Sequence, residues 1–139
     1  MNNMTISQVK LSEIEISNIT IPTSGTVQSA KKNPRYGNGK AIEGSCAKIV
    51  CEILDSELIK LLGKIKADIS QIKTITLEIT GDEQDLLDID LNSLIHTEIP
   101  LADAKVMLKW DSNSSNWRGV KLSINLNDLN DGNEEGNGQ

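Results

Sequence analysis

The chain has 139 residues, a net charge of −6, 37% hydrophobic residues and three aromatic side chains, Tyr36, Trp110 and Trp117. That length fits one domain able to bury its own core, and the acidic balance excludes wholesale polyanion binding. No run approaches the ~20 apolar residues that span a bilayer, and Met1-Asn2-Asn3-Met4-Thr5 has neither a basic region nor an apolar run, so no membrane segment and a cytoplasmic location are expected.

Val9, Leu11, Ile14, Ile16, Ile19 and Ile21 alternate with two phase slips, at Ser12-Glu13 and Ser17-Asn18. Each slip is the extra residue that a bulge inserts, so one long bent strand is expected, although two short strands also fit. Residues 22–44 hold no hydrophobic period and carry Pro22, Gly25, Pro34, Gly37, Gly39 and Gly44, which predicts a long basic loop over 23–44. Ala47, Ile49, Cys51 and Ile53 predict a strand. Cys46 and Cys51, five apart in that strand, point to opposite faces and form no disulfide within it. Asp55 or Ser56 caps a helix whose stripe of Leu58, Leu61, Leu62, Ile65 and Ile69 is read as core packing.

Ile75, Leu77 and Ile79 predict the next strand, with Thr74, Thr76 and Thr80 facing outward. Gly81-Asp82-Glu83 then turns into a strand of Leu87, Ile89 and Leu91 whose outward residues are Asp88 and Asp90. Residues 92–103 fit a short strand near Ile95–Ile99 that ends at Pro100. The last unit is a hairpin in which Val106, Leu108 and Trp110 face Val120, Leu122, Ile124 and Leu126. Keeping both apolar faces on one side requires Leu108 opposite Val120 and Val106 opposite Leu122. That parity puts Trp110 in the core and Trp117 outside with Lys105, Met107, Lys109 and Lys121, with Gly119 opposite Lys109. The tail over 128–139 is Asp, Glu, Asn and Gly with little to bury, so disorder is expected beyond a single β-rich domain over 1–127.

Charge is segregated along the chain. Four cations and no acid lie between Pro22 and Ile42, eight acids and no Lys or Arg between Thr74 and Ala104, and a positive balance returns from Lys105 to Leu126. Two basic islands on an acidic protein suggest localised contact with an anion. Trp117 among Lys105, Lys109, Arg118 and Lys121 has the composition of a stacking platform beside phosphates, although Trp packing and lysines that blunt a sheet edge account for it too. The segment carrying Lys31, Lys32, Arg35, Tyr36 and Lys40 interleaves cations with an aromatic and glycines, which suits close approach to a phosphate backbone or an ordinary solvated loop. Gly37-Asn38-Gly39-Lys40 lacks the spacing, the following Ser/Thr and the preceding strand of a P-loop. Asp82, Glu83, Asp85, Asp88 and Asp90 do not have the spacing of an EF-hand loop and read as a solvated acidic face. His96 is the single histidine, with no cysteine nearby in sequence and no nucleophile elbow, so neither catalysis nor a metal or other cofactor is expected.

A bent first strand, one helix between strands, a basic glycine-containing loop and an acidic tail together resemble the OB-fold single-stranded-DNA-binding proteins of bacteriophages and conjugative plasmids. The resemblance is architectural and covers residues 6–139. It implies a mainly β domain with one helix, a small OB-like barrel; an open α+β sheet with one packed helix is the alternative. It also implies single-stranded DNA or RNA lying across the sheet, held by Trp117, Lys109 and Lys121 with the Lys31–Lys40 loop closing over it, a homo-oligomer as one further option, and an acidic tail contacting a protein partner. Two departures stand against it: the helix follows the second strand rather than the third, and the tail lacks apolar terminal residues. The competing expectation is a non-enzymatic interaction or virion protein, such as an acidic inhibitor that presents Asp82–Asp103 to a basic partner.

Overall fold

The computed structural model describes residues 15–16, 19–66, 72–111 and 113–129. The chain is mainly β, with one strongly curled sheet that forms half a barrel and few helices. Its seven strands are β1 (Glu15–Ile16), β2 (Ser24–Asn33), β5 (Lys48–Asp55), β6 (Ile75–Thr80), β7 (Glu98–Pro100), β8 (Lys105–Asp111) and β9 (Asn116–Asn125). They lie in the order β1-β8-β9-β6-β5-β2-β7, and a separate two-stranded hairpin joins β3 (Tyr36–Gly37) to β4 (Lys40–Ala41). β6 and β9 run parallel and every other pair is antiparallel.

Branched aliphatics at alternate positions build the inner face. Ile49, Cys51 and Ile53 of β5 oppose Ile79, Leu77 and Ile75 of β6, and Leu77 and Ile79 oppose Leu122 and Ile124 of β9. Ile49, Cys51, Ile53, Leu77 and Ile79 are all fully buried. Two short helices, α2 (Glu83–Leu87) and α3 (Leu91–Leu94), help close this face, bringing the fully buried Leu86 and the half-buried Leu87, Leu91 and Leu94 onto the core. A strand over 87–91 was expected here. Asp90 caps α3 by accepting from the Asn92 N–H, and the Leu86 and Asp88 N–H groups donate to the Asp82 and Gln84 carbonyls, local helical bonds that outweigh the alternation.

The largest difference lies at 23–44, expected as a loop. Residues 24–33 of it are β2, hydrogen-bonded to β5 along one edge and to β7 along the other. Of its inward positions only Val27 and Ala30 are apolar; Gly25 and Lys32 occupy the others, so alternation is invisible in the sequence. A bulge between Val27 and Ser29 shifts the register. Gly25 is needed for close approach: a Cβ there would stand 2.4 Å from Ile53 Cδ1. Gly25→Ala should therefore cost about 1–3 kcal/mol through overpacking, read as a lower urea midpoint; an unchanged midpoint would contradict this packing.

β1 covers only two residues of the expected bent strand, and 19–22 carries no strand; Val9, Leu11 and Ile14 lie outside the described residues. Of the short strand expected near Ile95–Ile99, only the end is strand, β7 at Glu98–Pro100, because Ile95 and His96 form a turn. Helix α1 (Ser56–Lys64) starts where expected, with the Asp55 carboxylate accepting from the Glu57 and Leu58 N–H groups. Its stripe is not core, because Leu61 is 57% and Ile65 65% exposed. Ser56, 2% exposed, bonds Thr26 Oγ1 through its hydroxyl at 2.8 Å, and Leu58, Ile59 and Leu62 are half-buried; Ile69 lies outside the described residues. Cys46 precedes β5 rather than belonging to it, and both free cysteines are buried in the core. At the other end, residues 126–129 form a helical turn whose Leu126 and Leu129 pack on the core. The expected tail boundary at 128 falls within this turn; 130–139 lies outside the described residues. No helix among the described residues is long and apolar enough to cross a membrane.

Candidate functional site

The β8–β9 hairpin adopts the expected register at its base, with Val106 opposite Leu122 and Leu108 opposite Val120. Beyond Leu108 the register shifts, and Trp110 pairs with Trp117 rather than Arg118. The extra residue is on β9, at Gly119, whose φ of 75° suits a glycine bulge. It rotates Trp117 away from Lys109 and Lys121 and sets it beside Trp110, the two rings meeting edge to face at 5.3 Å. Trp110 is 48% exposed, not core, because the hairpin tip extends past the elements that cover the inner face. The platform expected around Trp117 is thus replaced by a tryptophan pair. Trp110 lines an open cleft of about 380 Å³ with Lys109, Asp111 and the exposed Arg118.

The lysines expected beside Trp117 lie on the outer face of the sheet, the face of Val50, Glu52 and Glu78. Glu78, whose side chain is 13% exposed, binds Lys48 at 2.8 Å through Oε2 and Lys121 at 2.9 Å through Oε1. Burial alone would raise the Glu78 carboxyl; the hydrogen bonds from Lys48 and Lys121 outweigh it and hold the group below its ordinary value. Lys109 Nζ donates to Thr76 Oγ1 at 2.7 Å, and that hydroxyl donates to Glu52 at 3.0 Å. Thr76 faces outward as expected, opposite Glu52, and is 6% exposed beneath this network. Lys105 stands exposed on the same face, opposite Ser123.

The second basic group divides. Lys31 and Lys32 are neighbours on β2 and point to opposite faces: Lys31 is exposed, and Lys32 Nζ donates to the Leu87 carbonyl at 2.7 Å. Arg35 makes two bonds to Glu83, at 2.8 and 3.2 Å. The Arg35 hydrogen bond and the Cys46 N–H keep the Glu83 carboxyl below its ordinary value, and Arg35 serves to fasten the base of the β3–β4 hairpin to α2. Tyr36, 70% exposed, and the exposed Lys40 sit on that hairpin. Asn38 and Gly39 have φ of 53° and 78°, the two left-handed residues of an Asn-Gly hairpin turn. That dipeptide was the signal for a hairpin within the expected loop. Tyr36 lines an open cleft of about 520 Å³ with Asn33, Pro34, Arg35, Ala47 and Lys48; Lys48 was not among the sequence-derived candidates.

His96 is exposed at a turn with φ of 72°. Burial, aided by Glu52, pushes the Cys51 thiol up to about 11, far from a nucleophile's range. No group of three His, Cys, Asp or Glu side chains among the described residues is placed to hold a metal ion. Compared with family models, with curated proteins and with solved structures, the chain matches none.

Proposed function

We propose that this chain is a binding module for single-stranded nucleic acid, DNA or RNA, of OB-like character, without enzymatic activity and largely indifferent to base sequence. The observation that carries the reading is Trp110: a half-exposed indole at a hairpin tip, braced edge-on by Trp117 and flanked in one cleft by Lys109 and Arg118. A base stacked on such a ring gains ~1–3 kcal/mol whatever its identity, while the neighbouring cations meet the phosphates on either side. The half-barrel curl of the sheet is in keeping with this class of binder, and the origin in a phage or conjugative element that the resemblance implies belongs to the same proposal.

Trp110→Ala should weaken binding of a labelled oligothymidylate about 5- to 150-fold. Its cost to stability should be only ~1 kcal/mol, the scale of an aromatic pair, because the ring is half in solvent. A folded Trp110→Ala protein with parental affinity would remove the hairpin tip from the interface.

One observation favours a second reading, a protein-interaction module. Asp82, Asp85 and Asp88 are exposed around α2 and take part in no ion pair among the described residues, a surface suited to a basic protein partner. Binding to a basic protein with no binding to oligonucleotides would select it.

A further inference from the structure

The two clefts lie at opposite ends of the sheet. β3–β4 continues from the Asn33–Lys48 end of the β2–β5 ladder, a row that runs through Thr80 to Asn125. Trp117 is eight steps before Asn125 on β9, about 25 Å at ~3.3 Å per residue. Between the clefts, the outer face carries a diagonal row of cations. Lys48 lines the Tyr36 cleft and reaches Glu78; Lys121 reaches the same carboxylate from β9; Lys109, one strand further on, stands over Thr76 and lines the Trp110 cleft. Each lysine is positioned by a hydrogen bond to the sheet, and the row joins one exposed aromatic to the other. Its charge is positive, three lysines against Glu52 and Glu78, on a protein whose net charge is −6.

From this arrangement we infer a single binding track, on which one strand contacts Tyr36, lays its phosphates along Lys48, Lys121 and Lys109 on the outer face, and turns over the β8 edge at the hairpin tip to stack on Trp110 at the same time. The inference rests on the nucleic-acid reading above and adds to it a second contact site and a footprint. A strand bound at Trp110 meets the Tyr36 cleft intramolecularly, so the second contact raises affinity only for strands long enough to span both. Short strands fill one cleft or the other.

The test compares a tetranucleotide with a dodecanucleotide of thymidine on the full chain at low salt, for the parent, Tyr36→Ala and Trp110→Ala. The track predicts that the dodecamer binds the parent about a hundredfold more tightly than the tetramer. Tyr36→Ala should remove most of that advantage while leaving tetramer binding at the Trp110 cleft nearly unchanged, and this variant separates bridging from the larger number of registers a long strand offers. Tyr36 is 70% exposed, so the variant should fold, which its circular dichroism and melting midpoint check. Parental dodecamer affinity in Tyr36→Ala would overturn the track and leave the Trp110 site standing. No binding of either length by the parent would overturn both.

Discussion

Leu77→Ala should lower the free energy of unfolding by about 3–5 kcal/mol, a large part of the ~5–15 kcal/mol available to a domain of this size. Leu77 is fully buried on β6, with Cys51 opposite on β5 and Leu122 opposite on β9. It sits in the middle of the sheet, where hydrogen-bonded neighbours on both sides keep the backbone from collapsing into the space left by the removed methyl groups. The cavity term therefore adds to the lost burial. Leu61→Ala is the contrast: its side chain is 57% exposed on α1, and its substitution should stay within about 0.5 kcal/mol. Urea titrations of the two variants check the pair. Similar midpoints would contradict the assignment of core to the sheet rather than to the α1 stripe.

The second large effect concerns the polar outer face. Glu78→Gln should cost about 2–3 kcal/mol at neutral pH, because it leaves Lys48 and Lys121 sharing a site with no carboxylate between them. The pH dependence follows from the depressed carboxyl. A group whose folded value lies below its unfolded one contributes stability that is complete above the unfolded value, ~4.3 for Glu, and is lost as pH falls through the folded value. The parent should therefore lose stability below about pH 4.5, and Glu78→Gln should show a shallower acid limb. Thermal melts from pH 3 to pH 7 measure both. Parallel limbs in the two proteins would show that Glu78 is not held by its lysines.

What the sequence discloses tracks how much of each element its own side chains determine. β5, β6 and the base of the β8–β9 hairpin carry unbroken alternation of branched aliphatics, and a shift of one residue would have put Ile53, Leu77 or Leu122 in water, so their faces and register were legible. β2 was not, because Gly25 and Lys32 occupy inward positions and the strand is held by neighbours on both edges. The same reason hid the aromatic pair. Parity counting placed Trp117 correctly only if the hairpin was regular, and the left-handed Gly119 that breaks it was counted as a regular strand position opposite Lys109. Among the candidate site residues, type was legible and commitment was not. Arg35, Lys32, Lys109 and Lys121 are cations as read, but each is held by a partner distant in sequence: Glu83, the Leu87 carbonyl, Thr76 and Glu78. Lys48 drew no notice among core-strand residues because only the pairing of β5 with β6 sets it beside Glu78 at the mouth of the Tyr36 cleft.

On the reading proposed above, this acidic protein binds single strands through an exposed tryptophan flanked by cations. Its most direct test is the intrinsic fluorescence of Trp110 and Trp117 during titration with a single-stranded oligonucleotide at 20 mM and at 300 mM salt. Quenching should saturate at low salt, as a base stacks on Trp110, and the affinity should fall steeply at high salt as phosphate contacts are screened. Fluorescence that stays unchanged at low salt up to millimolar oligonucleotide would contradict it.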